Sequence, residues 1–112
     1  MAIFEIKRND NKPYLAVTLQ DSTGSAIDLT AGSKISFNLA DNNNTYTSVL
    51  SGAATITGST AGQVEYRWAT SDTARSGLYL GEFEVTFNDS TVLTLPTDHS
   101  LVVQINEDYD GS

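Results

Sequence analysis

The stretch from Asp72 to Pro96, DTARSGLYLGEFEVTFNDSTVLTLP, decides the fold. Between Leu78 and Phe87 it alternates strictly between two sets of residues. The first set is Tyr79, Gly81, Phe83, Val85 and Phe87, and the second is Leu78, Leu80, Glu82, Glu84 and Thr86. A period of two is what a strand with one buried face requires. We therefore predict a long strand, a turn at Asn88-Asp89-Ser90 and a return strand over Thr91 to Leu95.

Similar alternation, bounded by Asn, Asp, Ser and Gly clusters, recurs along the rest of the chain. The other predicted strands are Ile3–Ile6, Tyr14–Gln20, Lys34–Ala40, Tyr46–Leu50, Ala53–Thr57, Gln63–Trp68 and His99–Ile105. Only Ala69 to Ser76 has helical potential, and it would form a turn or two at most. About nine short strands without a substantial helix indicate an all-β, two-sheet sandwich. We predict one domain over residues 1–106 and an acidic, frayed tail over residues 107–112.

The composition excludes several classes of function. With 6 basic and 14 acidic side chains the formal net charge is −8, which argues against binding nucleic acid or an anionic membrane surface. The chain has no cysteine, so it has no disulfide framework, no thiolate nucleophile and no cysteine-based zinc site. Its N-terminus lacks the apolar run of a signal peptide, which predicts synthesis and folding in the cytoplasm.

The sequence contains no convincing set of catalytic residues. His99 is the one histidine, and its neighbour Asp98 would point to the opposite face of a strand. Ser76 and Ser90 lack the G-x-S-x-G context of a nucleophile elbow. We therefore predict no enzymatic activity, no catalytic residue and no cofactor, with His99 at the surface or at a strand end.

Two acidic stretches carry oxygen ligands that a hard cation could use. They are Asp41 with Asn42, Asn43 and Asn44, and Glu107 with Asp108 and Asp110. Neither has the alternating acidic positions and the glycine that are typical of a calcium loop. Solvated loops are the simpler interpretation, and calcium remains the alternative.

Aromatic residues allow a different hypothesis, a sugar-binding platform. The candidates are Tyr14, Tyr46, Tyr66, Trp68 and Tyr79. Tyr66 and Trp68 share a face with Val64, so packing in the core explains them more simply, whereas Tyr14 and Tyr46 could face outward.

Tyr79 has a structural interpretation as well. It stands at the start of the long strand, where a tyrosine of Ig-like sandwiches bonds its hydroxyl to the upstream backbone. The residues that we expect to have structural roles are Tyr79, Trp68, Phe83, Val85 and Phe37.

Several motifs, in order along the chain, resemble the N-terminal domain of tailed-phage baseplate upper proteins. The first part reads Phe4-x-Ile6-x-Arg8-Asn9-Asp10, then Pro13-Tyr14-Leu15 and Thr18-Leu19-x-Asp21-x-x-Gly24, then IDLTAGSKISF over residues 27–37. The later part reads GQVEYRW over residues 62–68, then Asp72-Thr73, Gly77-x-Tyr79-x-x-Glu82-Phe83-Glu84-Val85 and Thr94-Leu95-Pro96. The resemblance covers the chain from Phe4 to Ile105.

This resemblance implies an Ig-like antiparallel β-sandwich of about 7–9 strands that serves as a non-enzymatic virion assembly module. Because baseplate upper proteins carry long further regions after this domain, we expect a stand-alone tail, baseplate or neck accessory subunit. Its partners would be other virion proteins and further copies of itself, with no nucleic acid and no membrane.

Docking is expected to use sheet edges and loops, because an edge strand offers unpaired amides and carbonyls. The strands Ile3–Ile6 and His99–Ile105 are the predicted edges. The residues predicted to face a partner are Ile3, Phe4, Tyr14, Tyr46, Glu82 and Glu84. The alternative function is a carbohydrate- or host-surface-binding adhesin module, which would use an outward aromatic pair such as Tyr14 and Tyr46.

Overall fold

The computed structural model describes residues 2–21, 23–41, 48–69, 71–96 and 101–107. These residues form eight strands and no helix: β1 (Ala2–Lys7), β2 (Leu15–Thr18), β3 (Gly32–Asp41), β4 (Ser48–Gly58), β5 (Gln63–Tyr66), β6 (Gly77–Phe87), β7 (Val92–Leu95) and β8 (Leu101–Asn106). The all-β prediction is confirmed. It follows that nothing in the described ranges is a helix suited to crossing a membrane.

The strands form one continuous hydrogen-bonded sheet in the order β1-β8-β6-β3-β4-β5-β2, with β7 also paired to β6. This sheet wraps around one core as a nearly closed, barrel-like layer. The ladders between strands are antiparallel except that of β1 with β8, which is parallel. The expectation of a purely antiparallel fold is therefore wrong at this one pair.

Strand β6 lies at the centre of this arrangement, as the alternation of its sequence predicted. One edge pairs with β3 along nearly its whole length, and the other is shared between β8 and β7. Its inward residues Phe83 and Val85 are fully buried, and Tyr79 is 6% exposed. The prediction for this strand and for the return strand after Asn88 is confirmed.

Strand β4 differs from the prediction of two separate segments. Residues from Ser48 to Gly58 form one strand, whose first half pairs with β3 and whose second half pairs with β5. Gly52 lies in the part paired with β3, opposite Phe37, and a Cβ atom there would come within 2.8 Å of the Tyr66 hydroxyl. The missing side chain lets this ring pack against the strand.

The core is built from the inward residues of nearly every strand. Its aromatic centre is Phe37, whose ring lies 4.8 Å from Tyr66, 5.0 Å from Phe83 and 5.9 Å from Trp68. All five residues expected to have structural roles are buried: Tyr79, Trp68, Phe83, Val85 and Phe37. Burial of large rings on this scale supplies much of the favourable free energy of folding.

The segment between β5 and β6 forms hydrogen-bonded turns over residues 71–73 instead of the short helix considered from the sequence. The Asp72 carboxylate accepts hydrogen bonds from the Tyr66 hydroxyl at 2.6 Å and from the Ala69 amide at 2.7 Å. Buried Thr73 donates its hydroxyl to the Asp10 carbonyl at 2.9 Å. These contacts fix the segment against the β1–β2 loop.

Tyr79 makes the corner contact that its position predicted. Its hydroxyl donates to the backbone carbonyls of Ser76, at 3.1 Å, and Arg75, at 3.3 Å. Gly77, between these residues and Tyr79, has a φ of +140°, a conformation that favours glycine. The turn before β6 is therefore tied to the first core residue of the strand.

Three surface turns share the pattern Asp-x-Thr: Asp21 with Thr23, Asp28 with Thr30, and Asp89 with Thr91. In each, one carboxylate oxygen accepts hydrogen bonds from both the amide and the hydroxyl of the threonine. Such Asx turns satisfy backbone groups locally and end strands.

One of the two predicted edge strands is an edge in the structure, and the other is not. Strand β1 does lie at one end of the sheet, but β8 lies between β1 and β6 and is not an edge. The other end is β2. His99, Asp98, Tyr46, residues 42–44 and the tail from Asp108 onward lie outside the described residues.

Candidate functional site

The most unusual surface is the outer face of the sheet around β6. The registers place Ile3 of β1 beside Val102 of β8, Val102 beside Leu80 of β6, and Leu80 beside Ala40 of β3. These four apolar residues form a continuous row across four strands, which we call the apolar row. Ile3 is 58% exposed, and Leu78, one step along β6, is 49% exposed.

A pocket of about 310 Å³, which we call the hollow, opens on the same face beside the apolar row. It is lined by Leu80, Ala40, Gly81, Pro96 and, at its polar side, Asn38 and Glu82. Ile3 is exposed, while Val102, Leu80 and Ala40 are partly exposed, and an apolar row of this kind next to a concavity is a place where a partner side chain can insert.

The apolar row is flanked by acidic and polar groups. Glu82 and Glu84 follow it along β6, and both are half-buried. On the other side, Asn106 donates a hydrogen bond to the Glu5 carboxylate at 3.3 Å and accepts one from Gln104 at 2.8 Å. An apolar centre with a polar rim is the usual anatomy of a protein–protein interface.

The apolar row ends at the edge strand β1. The amide of Arg8 donates to the Asn106 carbonyl at 2.7 Å. Because backbone groups alternate in direction along a strand, every second residue counted back from Arg8 directs its amide and carbonyl toward β8. The backbone groups of Ile3 and Glu5 therefore point away from the sheet. A turn in which the Asp10 amide donates to the Lys7 carbonyl at 3.1 Å closes the far end of this edge.

The residues predicted to face a partner are distributed unevenly. Ile3, Glu82 and Glu84 lie on the outer face, as expected. Phe4 does not, because its ring packs into the core and stacks on Trp68 at 5.9 Å. Contact of these residues with a partner stays a prediction. Tyr46 lies outside the described residues.

Tyr14 is on another surface, beside β2, and is 36% exposed. Its ring lies 5.3 Å from the Arg67 guanidinium and 5.8 Å from the Lys12 ammonium, and Arg67 is paired with Glu65 at 2.8 Å. Tyr66 and Trp68 are buried and cannot extend this surface. Among described residues, Tyr14 therefore lacks the second exposed ring that a sugar platform needs.

The electrostatics of the described residues are those of a folded scaffold. Burial, together with the hydrogen bond to the Asp72 carboxylate, raises the pKa of Tyr66 well above its usual range. Hydrogen bonds from Thr23, Thr30 and Thr91 lower the pKa of Asp21, Asp28 and Asp89. Within the described ranges, no three acidic or imidazole side chains are grouped so that they could hold a metal ion.

Sequence reasoning missed Leu80 and Val102 as members of a surface. A signal was present, because Leu78 and Leu80 fall on the face of β6 that also carries Glu82 and Glu84. Two leucines on a mixed face are unexpected if that face meets only water. The register that joins them to Ile3 is not a local property of the sequence.

Comparison with known proteins yields a structural similarity and no family. No protein-family profile matches the chain, and no curated protein matches it in sequence. Among solved structures, CopC from Methylosinus trichosporium OB3b superposes with a TM-score of 0.51, covering 96% of this chain and 86% of CopC. The sequences are 12% identical, so the similarity concerns the fold alone.

Proposed function

We propose that this chain is a non-enzymatic bacteriophage structural or assembly protein, an accessory subunit of the tail, baseplate or neck that docks onto other virion proteins. The motifs shared with the N-terminal domain of baseplate upper proteins support this proposal. The observation that carries it is the apolar row, which runs from Leu80 of the central strand to Ile3 at an open edge.

The finer description of the fold as an Ig-like sandwich is part of this proposal. Strand β4 passes from one part of the sheet to the other, so that β1-β8-β6-β3 and β5-β2 can be regarded as two layers. The tyrosine corner at Tyr79 supports the same assignment. Such sandwiches present broad sheet faces, which suits repeated subunit contacts.

The chemistry of the outer face indicates what the virion partner would present. Apolar side chains would cover Ile3 and Leu80 and fill the hollow, and basic side chains would lie opposite Glu82 and Glu84. A second copy docked face to face is disfavoured, because the two copies, each with a net charge of −8, would bring carboxylates together.

The proposal is tested by asking whether the protein is part of the particle. Particles of the virus that encodes the chain are purified on a density gradient, and the fractions are probed with an antibody raised against the recombinant chain. We expect the chain in the particle band, at a constant ratio to the major particle proteins after repeated banding. Its restriction to soluble fractions would contradict the proposal.

A further inference from the structure

The end of the sheet opposite β1 is also an open edge. Strand β2 pairs with β5 on one side, and among the described residues no strand lies on its other side. From Tyr14 to Gln20 the chain reads YLAVTLQ, without a charged residue, a proline or a bulge. Natural edge strands are usually protected by such features or by being very short; β2 has four residues but none of the other features, so its open side is available for pairing with another chain.

Hydrogen bonds fix which backbone groups of this edge are open. The Leu19 amide donates to the Gly62 carbonyl at 2.7 Å, and the Leu19 carbonyl accepts from the Ile27 amide at 2.9 Å. Asp21 donates toward the same side, to the Ser25 carbonyl, at 2.9 Å. Because backbone groups alternate in direction along a strand, those of Ala16, Thr18 and Gln20 point to the open side.

We infer that this edge binds a second copy of the same chain, by antiparallel pairing of β2 with β2 across a two-fold axis at Thr18. This inference concerns the other end of the sheet from the apolar row, and it holds whether or not the chain is a virion component. This pairing would join the sheet of one copy to the sheet of the other at their β5-β2 ends.

The proposed register is self-complementary. Thr18 lies opposite Thr18 of the second copy, and Ala16 lies opposite Gln20, so each pair exchanges both backbone hydrogen bonds. A Thr–Thr pair is a favourable cross-strand neighbour, and no like charges meet although each chain carries a net charge of −8. On the inner face, half-buried Val17 would be covered by Leu19 of the second copy.

The edge of β1 is a poorer place for the same kind of pairing. Its outward-pointing residues include the charged Glu5, and the turn at Lys7 closes one end. Antiparallel pairing of two β1 strands about Glu5 would oppose two carboxylates, which is destabilising. The two ends of the sheet therefore differ in the kind of contact that they allow.

The test measures oligomeric mass by sedimentation equilibrium over a wide range of protein concentration. The wild-type chain should form a species with twice the monomer mass of 12.0 kDa. Ala16→Pro removes one outward amide at a position where an edge strand tolerates proline, so it should give a monomer. Ala16→Thr keeps the amide and is the matched control, which should still dimerise.

A second pair of variants keeps the test decisive if Ala16→Pro does not fold. Thr18→Lys places two like charges opposite each other at the axis and should dissociate the dimer, whereas Thr18→Ser should not. Circular dichroism confirms that each variant is folded. A wild-type chain that stays monomeric, or a dimer that survives both Ala16→Pro and Thr18→Lys, would overturn the inference.

Disulfide cross-linking gives a direct test of the proposed contact, because the native chain contains no cysteine. Two Thr18 Cα atoms in a hydrogen-bonded pair would lie about 5.5 Å apart, within the range for a disulfide. Under mild oxidation Thr18→Cys should give a covalent dimer. Thr57→Cys, at an exposed position on β4, should not. Equal cross-linking of the two variants would contradict the proposed axis.

Discussion

The two faces of β6 differ in what their residues do. Inward, Tyr79, Phe83 and Val85 are buried in a core built by nearly all the strands. Outward, the same strand carries Leu78 and Leu80 and then Glu82 and Glu84, which no layer of the described chain covers. The inner face explains why the chain folds. The outer face has a pattern that folding alone does not require, which is why we assign function to it.

The largest expected effect is the difference in unfolding free energy between truncations on the inner and on the outer face of β6. Phe83 is fully buried between Phe37 and its neighbours, so Phe83→Ala should lower the free energy of unfolding by about 3–5 kcal/mol. Leu80→Ala, on the outer face, should cost about 1 kcal/mol or less. Urea denaturation of both variants measures the difference. Equal losses would mean that the outer face also belongs to the core.

A second prediction concerns the glycine on the inner side of β4. Gly52→Ala would place a methyl group against the Tyr66 hydroxyl, which Asp72 holds in place. Overpacking of this kind should cost about 1–3 kcal/mol of unfolding free energy. Ala53→Ser, at the exposed neighbouring position, is the control and should change stability little. A stable Gly52→Ala protein would show that the Tyr66 ring can move aside.

The corner before β6 should contribute less. Tyr79→Phe removes the hydrogen bonds to Ser76 and Arg75 while keeping the ring in the core. We expect a loss of about 1 kcal/mol in thermal or urea unfolding. Tyr14→Phe, at a partly exposed position, provides the comparison and should have almost no effect. If Tyr79→Phe is equally neutral, the corner does not stabilise the start of the strand.

The smallest expected effect is on stability and comes from the three Asp-x-Thr surface turns, which belong to neither face of β6. Because hydrogen bonds lower the folded-state pKa of Asp21, Asp28 and Asp89, these carboxylates stabilise the fold above the unfolded pKa of about 4. It is lost as the pH falls through the lower folded value. Wild type should therefore exceed Asp28→Asn in stability at neutral pH, and the gap should close in acid.

Thr30→Val removes the hydroxyl donor of the same turn and keeps the backbone amide donor. Its stability relative to wild type should show a pH dependence in the same direction as that of Asp28→Asn, but smaller, because the amide still donates to Asp28. A gap that stays constant from neutral to acidic pH would contradict the assignment of this pH dependence to the turns.

The inner face could be predicted from the sequence because its signal is local. Tyr79, Phe83 and Val85 recur at a spacing of two, and Phe37 and Val64 do so in their own strands. The turn at Asn88-Asp89-Ser90 is predicted by equally local residue types. Each of these features involves residues a few positions apart.

The candidate site could not be predicted in the same way, because it depends on which strands are neighbours. Residues 3, 80 and 102 meet only through the parallel β1–β8 ladder and the β8–β6 register. The Tyr66 ring packs against Gly52 of β4, and the Phe4 ring stacks on Trp68. These are long-range contacts that no local period encodes.

The central claim, that the outer face is a docking surface, can be tested with two substitutions that differ only in location. Ile3 and Val92 are 58% and 57% exposed and both lie on the outer face, but Ile3 belongs to the apolar row and Val92 lies at the other end, on β7. Ile3→Lys and Val92→Lys should both fold, with stabilities within about 0.5 kcal/mol of wild type.

The measurement is the amount of each variant incorporated into purified particles when it replaces the wild-type chain. Our account predicts that Val92→Lys is incorporated at the wild-type level, whereas folded Ile3→Lys is left in the soluble fraction. Incorporation of both variants at the wild-type level would contradict a docking role for the apolar row.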